Sequence, residues 1–256
     1  SIDGMSGKRI YSLIDRLKDE SYRPYPAKRV YIPKKNGKKR PISIPAFDDK
    51  LVQEVIKMVL EAIYEGHFEK CSHGFRPHRS CHTALASISE GFDGTRWFIE
   101  GDIKGFFDNI DHDVMIGILG ERIKDERFLR LIRKFLKAGY LEQWQFHGTY
   151  CGTPQGGVLS PILANIYLDK LDKYMVEYIS SFNIGKARKR NPEYKRIGNR
   201  KDKRVKKMKN ERDRQKIAAL CMEIKKLHRE MQQHPATLDM DGDFKRMRYV
   251  RYADDF

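Results

Sequence analysis

The stretch Arg251-Tyr252-Ala253-Asp254-Asp255-Phe256 decides how this chain is interpreted. Its two adjacent carboxylates follow a run of residues typical of a β-strand, which starts at Arg248. Adjacent acids repel each other, so a fold seldom places them together unless a cation lies between them. Alone, such a pair is more often a surface turn, because aspartate favours turns. The pair indicates a site only if it has a partner elsewhere in the chain.

A second acid lies in a similar frame far upstream. Asp102 closes the run Trp97-Phe98-Ile99-Glu100-Gly101-Asp102, and residues 96–102 are predicted to form another strand. Carboxylate oxygens suit Mg²⁺, and two acidic strands side by side would make a two-metal site for phosphoryl transfer. Such a site forms only if the fold brings together Asp102 and Asp254, which are 152 positions apart.

The charge of the chain points to a polyanionic partner. Its 256 residues include 51 Lys and Arg against 35 Asp and Glu, a net charge of +16. Residues 186–214 alone hold 15 basic and 4 acidic side chains, a net charge of +11. Nucleic acid is the first candidate partner, and a basic surface that only faces solvent stays open.

The sequence disfavours a membrane-spanning protein and a protein held together by disulfides. No apolar run approaches the roughly 20 residues of a membrane span, so no membrane partner is expected. The four cysteines lack the paired spacing of a disulfide framework, which favours a reducing compartment.

Hydrophobic periodicity predicts an α+β fold with an antiparallel sheet, rather than a doubly wound one. Helices are predicted over residues 8–19, 48–64, 80–88, 125–138 and 210–232, from about residue 112, and from Ser160 onward. The second of these helices has Leu51, Val55, Met58 and Val59 on one side, and Asp48 is its predicted N-cap.

A basic hairpin is predicted near the start of the chain. Val30-Tyr31-Ile32 and Pro41–Ile44 flank a basic tip, in which Asn36-Gly37 favours a type I′ turn. The tip either faces solvent or binds phosphates.

Two further segments are predicted from their turn-forming residues. A short strand pair within residues 146–151 precedes the loop Pro154-Gln155-Gly156, whose backbone N–H groups could lie against a nucleotide or serve a plain connection. Residues 183–209 are polar and basic, and they are predicted to form an extended or disordered loop.

Five blocks of this sequence resemble those of the reverse transcriptases, and among them those of the group II intron-encoded proteins, or maturases. The blocks are Val30–Pro45, His73–Pro77, Phe98–Ile110, Gly152–Leu168 and Tyr252–Asp255. Each is weak alone, but together they follow the family's order along nearly the whole chain. Ala253 is the residue expected in intron-encoded enzymes, where retroviral ones usually carry Met.

The resemblance implies the right-hand polymerase fold, with an antiparallel palm sheet packed on helices and without a thumb. Residues 1–95 would be the fingers, and residues 96–256 a palm that is cut after the Tyr252–Asp255 strand. A basic insertion at 183–214 and a helix at 210–232 would interrupt the palm. The chain is therefore expected to be a fragment that alone copies RNA poorly or not at all.

The resemblance also implies roles for individual residues. Asp102, Asp254 and Asp255 would be catalytic, and two Mg²⁺ would be held by Asp102, Asp254 and the carbonyl of Ile103. The implied nucleotide-binding residues are Lys34, Lys38, Arg40, Phe106, Phe107 and Gln155. Phe107 would press on the sugar and exclude a 2′-hydroxyl, and only one of the two phenylalanines is expected to face the site.

The implied RNA-binding residues are Arg76, Lys186, Arg188, Lys189, Arg190, Arg200, Lys201, Lys203, Arg204, Lys206 and Lys207. For Arg76, a structural ion pair is an equal alternative to contact with template phosphate. The basic segment is expected to bind intron RNA without base specificity, and a passive solvated loop is its alternative.

The implied partners are intron RNA, an RNA template with a DNA primer, and deoxynucleoside triphosphates. A ribonucleoprotein in the bacterial cytoplasm or in an organelle is expected, and a homodimer stays open. The main rival function is a non-enzymatic RNA-binding splicing cofactor. Retron and diversity-generating reverse transcriptases are rivals within the enzyme class.

Overall fold

The computed structural model describes residues 6–33, 37, 39–153 and 156–256. It has two compact units: one comprises the chain up to Val176 together with Arg248–Phe256, and the other is Glu177–Met247. No helix in these ranges is both long and apolar enough to cross a membrane.

Helices and strands alternate irregularly along the chain, which confirms the predicted α+β class. In order they are α1 (Gly7–Lys18), β1 (Ala27–Pro33), β2 (Lys39–Ile44), α2 (Phe47–Tyr64), α3 (Cys81–Gly91), α4 (Phe106–Asn109), α5 (His112–Arg122), α6 (Glu126–Leu136), β3 (Tyr140–Glu142), β4 (Gln145–His147), α7 (Ser160–Phe182), α8 (Pro192–Lys209) and α9 (Arg214–Gln232).

Side-chain caps set several helix starts. Ser80 caps α3 and forms a capping box with Thr83, and Asp111 accepts hydrogen bonds from the first turn of α5. The prediction for α2 is wrong by two residues, because Asp48 lies inside its first turn and Ala46 is the N-cap. Asp48 instead forms an ion pair with Arg9 of α1 at 2.8 Å.

The buried face of α2 also differs from the predicted one. Val52, Ile56 and Leu60 are buried, whereas Val55 and Met58 are 61% and 62% exposed. This helix is apolar on two sides, so periodicity alone does not decide which side packs. The buried side joins the main hydrophobic core, which also includes residues of α5, α6 and α7.

The described strands form one four-stranded sheet of order β2-β1-β3-β4. The antiparallel β1–β2 pair runs from Lys28 opposite Ile44 to Pro33 opposite Lys39, which confirms the predicted hairpin. The turn predicted at Asn36-Gly37 falls mainly on residues outside the described ranges. The short strand pair predicted within 146–151 lies earlier, as the antiparallel β3–β4 pair.

The sheet does not contain the two acid-bearing segments. β1 and β3 pair in parallel, so the sheet is mixed and joins segments from both sides of the predicted fingers–palm boundary at 95 and 96. Residues 96–102 and 248–252 form no regular strand, and isolated bridges join them to other segments. One reason is that Arg251 exchanges its backbone hydrogen bonds with Cys71 and His73 instead.

The prediction of a loop over residues 183–209 is wrong, because α8 occupies most of it and packs along α9. Asn191 caps α8, and Pro192 is its first residue. Ile197 is buried in this helical hairpin. The sparse apolar residues of α8 are stabilised by α9, a partner that local charge and polarity do not reveal.

Candidate active site

The two adjacent aspartates lie on a tight hairpin. Tyr252 and Asp255 exchange both backbone hydrogen bonds, at 2.8 and 3.1 Å, so that Ala253 and Asp254 form a two-residue turn. Ala253 has φ +57°, a left-handed conformation that a side chain adopts only at a cost in free energy. The turn presents Asp254 at its tip and Asp255 on its returning arm.

This turn pairs with the segment that carries Asp102. Gly101 and Phe256 exchange backbone hydrogen bonds of 2.7 and 2.9 Å, and Asp102 stands directly opposite Asp255 in an antiparallel bridge. The Ile103 N–H donates to the Asp254 carbonyl at 3.4 Å. Side chains that stand opposite each other in such a pair share one face, with Cβ atoms about 5 Å apart. The fold thus brings the distant acids together.

The electrostatics of the acids agree with this proximity. Partial burial, and then the negative charges of Asp254, Asp102 and Glu100, raise the pKa of Asp255 above its usual value. Asp102 and Asp255 stay exposed, and Asp254 is half-buried, so their carboxylates are accessible from solvent. Within the described ranges, no three acid, histidine or cysteine side chains already form a closed metal cluster.

These residues fit a divalent ion by their donor chemistry. Ionised carboxylates only accept, and a cation between them would offset the repulsion that raises the pKa of Asp255. The Ile103 carbonyl already accepts a hydrogen bond of 3.1 Å from Phe106, which leaves it one lone pair for a metal. The metal ligands themselves stay a prediction.

A buried network that sequence reasoning missed holds the aspartate turn from beneath. Arg251 is fully buried, and its guanidinium contacts both carboxylate oxygens of Asp172 on α7, at 2.6 and 2.8 Å. The same guanidinium donates to the Ala253 carbonyl at 2.7 Å and to the Ser72 hydroxyl at 2.7 Å. One side chain thus links the strained residue of the turn to two other segments.

A second contact fixes the turn from the His73–Pro77 block. A Cβ on Gly74 would collide with the backbone nitrogen of Ala253, so only glycine permits this approach. The Gly74 carbonyl accepts a 2.8 Å hydrogen bond from Asn165, which is buried on α7. The sequence gives little signal for Asn165 and Asp172, because α7 also carries Asp169, Lys170 and Lys173 among its apolar residues.

The structure separates the two predicted phenylalanines. Phe106 is 6% exposed and packs edge-on against Tyr167 in the core, so the prediction that it contacts nucleotide is wrong. Phe107 is only partly buried and lies edge-on to Phe106, with ring centroids 5.4 Å apart. Both belong to α4, which begins after Gly105 at φ +64°. Phe107 is the more accessible of the two rings, although it also packs against the core, and its contact with a nucleotide stays a prediction.

The glycine-rich loop docks on the Asp102 block and on the hairpin. The Thr153 N–H donates to the Phe107 carbonyl at 2.7 Å, and a Cβ on Gly152 would collide with that same carbonyl. Gly156, at φ +97°, lies against Ile42 of β2. Gln155 lies outside the described residues, and its nucleotide contact stays a prediction.

Of the predicted triphosphate contacts, only Arg40 is described. It lies on β2 opposite Ile32, near the tip of the hairpin, and it is exposed. Lys34 and Lys38 lie outside the described residues.

Arg76 has the structural role that was its alternative. Its side chain is 5% exposed and pairs with Glu65 at 2.8 Å, and it also donates to the carbonyls of Glu69 and Ser72, at 2.8 and 3.0 Å. The prediction that it binds template is wrong, because a guanidinium so enclosed has few donors left for a phosphate.

Several predicted RNA-binding residues of the second unit have partners within it. Arg204 pairs with Glu223 of α9 at 2.6 Å, Lys189 pairs with Asp243, and Arg188 lies over the Phe244 ring. Other cations of α8 are exposed on the side away from its buried residue Ile197: Lys203, Lys206 and Lys207. Lys201 is half-buried instead.

Comparison with known proteins gives the class of this chain. Residues 32–185, more than half of its length, match the family described as "Reverse transcriptase (RNA-dependent DNA polymerase)". The chain belongs to that family, and its α+β architecture and paired aspartates agree with a fingers–palm polymerase domain. The match includes Asp102 but ends before the aspartate turn.

Within the family, the relatives are of the intron-encoded type. Group II intron-encoded protein LtrA of Lactococcus lactis subsp. cremoris is 50% identical over 99% of this chain and 42% of its own length. An uncharacterized 91 kDa protein in the cob intron of Schizosaccharomyces pombe is 45% identical over 100% of this chain and 31% of its own. The putative COX1/OXI3 intron 1 protein of Saccharomyces cerevisiae is 38% identical over 100% of this chain and 29% of its own length.

The chain thus spans less than half the length of these curated relatives. A chain of a partial Cas6-RT-Cas1–Cas2 complex is also similar, with a TM-score of 0.42 and 21% identity over 70% of this chain and 30% of its own. That degree of similarity carries no conclusion about function.

Proposed function

We propose that this chain is the polymerase domain of a group II intron-encoded reverse transcriptase, which binds its intron RNA and copies RNA into DNA. The observation that carries the proposal is the pairing of the Asp254-Asp255 turn with Asp102. A protein that only binds RNA has no need for clustered carboxylates, because these repel phosphates.

Different residues would bind the metal ions, the incoming triphosphate and the new base pair during nucleotidyl transfer. Asp102, Asp254 and the Ile103 carbonyl would hold two Mg²⁺, which when bound would activate the primer 3′-hydroxyl and stabilise the leaving pyrophosphate. Asp255, opposite Asp102, adds negative charge beside these ligands. Arg40 would contact the triphosphate of the incoming nucleotide, with help from Lys34 and Lys38. Gln155 would lie against the new base pair.

Primer extension tests the function itself. The full-length protein is given a DNA primer on an RNA template, one deoxynucleoside triphosphate and Mg²⁺. Incorporation that stops when the metal is chelated would support the proposal. Complete inactivity on several templates, from protein that still binds RNA and supports splicing, would favour the splicing-cofactor alternative.

Phe107 is proposed to exclude ribonucleotides, because it is the partly exposed aromatic residue that follows Asp102 closely in the sequence. Phe107→Ala should therefore raise the incorporation of a ribonucleotide relative to the matching deoxynucleotide by roughly 10-fold or more. The measurement compares kcat/KM for the two nucleotides. Tyr11→Ala, which removes a 70% exposed ring from α1, is the matched control. Unchanged discrimination in Phe107→Ala would remove this residue from the site.

Intron RNA is proposed to bind the outer face of α8. Lys203, Lys206 and Lys207 share that face and are exposed, and the segment around them carries +11 of the net charge. Phosphate contacts of this kind add affinity without base specificity and weaken as salt rises. The proposed complex is a ribonucleoprotein of the bacterial cytoplasm or of an organelle, and a homodimer stays open.

Changing these three lysines to glutamine should lower RNA affinity and reduce the slope of log affinity against log salt by about 2 to 3. Filter binding over a salt series measures both. The control changes three exposed lysines of the first unit, Lys18, Lys124 and Lys137, to glutamine, because the loss of charge is then equal. If both triple variants lose the same amount of RNA affinity, the effect comes from net charge, and α8 is not the binding surface.

A further inference from the structure

A cleft of about 300 Å³ opens between the β1–β2 hairpin and the loop that follows β4. Its walls include Arg29 of β1, Ser43 of β2, Tyr140 of β3, Asp108, Tyr150 and Thr153. None of these residues has a role in the function proposed above. The volume is at the lower end of the range found for sites that bind small ligands.

Three polar atoms of this cleft are buried without a hydrogen-bond partner. They are Ser43 Oγ, Thr153 Oγ1 and Arg29 Nε, and Ser43 and Thr153 are only 1% and 3% exposed. An unsatisfied buried hydroxyl or N–H lowers the stability of the folded protein, so folds seldom leave several of them in one place. Their concentration on the walls of one cleft indicates a polar ligand.

The cleft combines a cation, an acid and a free aromatic face. The Arg29 guanidinium lies 3.5 Å above the centre of the Tyr140 ring, and His147 stacks with that ring at 5.0 Å, which restrains the guanidinium. Tyr150 is 94% exposed at the rim. Asp108 disfavours a simple anion, but its carboxylate can accept from an amino or hydroxyl group. A nucleotide unit carries all the matching groups, namely a phosphate, donors and a flat base.

The position of the cleft connects it with the candidate active site. Its Thr153 wall is hydrogen-bonded to Phe107 at 2.7 Å, and Cys151 Sγ lies 3.3 Å from the Asp108 carbonyl. We propose that the cleft binds one unpaired nucleotide of an RNA strand, with its phosphate on Arg29, its base on Tyr150 and its 2′-hydroxyl among Ser43, Thr153 and Asp108. The inference deepens the proposed function and rests on it.

The test measures binding of short single-stranded oligonucleotides to the full-length protein by fluorescence anisotropy, with RNA and DNA of one sequence. Salt of about 0.2 M weakens non-specific phosphate binding. Tyr150→Ala and Arg29→Gln should each weaken RNA binding by roughly 5-fold or more, as loss of one stacked base or one phosphate contact does. Trp144→Ala, a 96% exposed ring at the β3–β4 turn, is the matched control and should change affinity less than about 2-fold.

The double variant Ser43→Ala/Thr153→Val separates a binding site from a structural role. Because both hydroxyls lack partners in the free protein, its thermal midpoint should equal or exceed that of the wild type. Its RNA affinity should fall and its preference for RNA over DNA should shrink. A lowered midpoint together with unchanged RNA affinity would overturn the proposal.

Two further outcomes are decisive. RNA binding within about 2-fold of wild type in all cleft variants would contradict the proposed site. Variants that raise only the KM for the deoxynucleoside triphosphate, and leave RNA affinity unchanged, would also contradict it. The cleft would then bind the incoming nucleotide instead. Incorporation by the wild type is measured in parallel. If the wild type incorporates nucleotides and the variants bind RNA normally, only the cleft proposal is contradicted. If the wild type does not incorporate nucleotides, the proposed polymerase function is contradicted.

Discussion

Replacing Asp102 or Asp254 by asparagine should lower nucleotide incorporation by the full-length protein on the order of 1,000-fold or more. Asparagine keeps the size and the hydrogen-bonding capacity of the side chain, but removes the charge that binds divalent cations. Loss of the several kcal/mol that metal ions contribute to the transition state accounts for this magnitude. Single-turnover incorporation on an RNA template measures it.

The same variants should bind RNA within about 2-fold of wild type, because the acids do not contact RNA phosphates. Asp93→Asn, an exposed acid in the segment after α3, is the control and should incorporate normally. Asp255→Asn should have a smaller effect than the other two, since Asp255 is proposed to support the ligands rather than to be one. Retained synthesis in Asp254→Asn would remove the aspartate turn from the chemistry.

Breaking the buried Arg251–Asp172 pair has the largest expected effect on stability. Both side chains are 0% exposed, so Arg251→Met or Asp172→Leu leaves a buried charge without its partner. Such a change costs about 3 to 5 kcal/mol of unfolding free energy. For a chain of this size the thermal midpoint should fall by roughly 10 °C. The Lys170–Glu121 pair, about half exposed, is the control, and its loss should cost less than about 1 kcal/mol.

The double variant Arg251→Met/Asp172→Leu distinguishes positioning from stability. An apolar pair of similar volume should recover much of the lost stability, because no charge remains buried. Incorporation should stay at least about 10-fold low, since nothing then donates to the Ala253 carbonyl that Arg251 holds at 2.7 Å. Recovery of both stability and incorporation would show that the pair only stabilises the fold.

The sequence predicted the helices best where local signals were strong. The periodicity of α1, α6 and α9 located those elements within a few residues. The hairpin β1–β2 followed from alternation and from its turn residues. Each of these signals lies within the element that it predicts, so no distant partner was needed.

The features of the fold that the sequence did not predict depend on contacts between distant segments. α8 packs along α9, and the buried side of α2 depends on the shared core to which α5, α6 and α7 also contribute. The acid segments were predicted as strands, but their hydrogen bonds are shared among Gly101, Phe256 and the residues around Ser72. Such pairings follow from tertiary structure and leave little trace in local composition.

The residues of the candidate site also fall into those that the sequence predicted and those that it did not. The aspartates were found because clustered like charges are costly and therefore informative. Arg251 and Asp172 were missed because a lone arginine in a strand and an aspartate in a helix are ordinary alone, and only their juxtaposition gives them meaning. Arg76 was equally ambiguous until its partner Glu65 was in view.

The central claim is that Asp102 and Asp254 together bind the catalytic metals. Its most direct test is Mn²⁺ binding, followed by electron paramagnetic resonance, in the full-length protein with an RNA template, a DNA primer that lacks its 3′-hydroxyl and the next deoxynucleotide. The account predicts two bound ions in the wild type, and fewer in Asp102→Asn/Asp254→Asn at matched occupancy by the primer–template. Two ions of unchanged affinity in that double variant would contradict it.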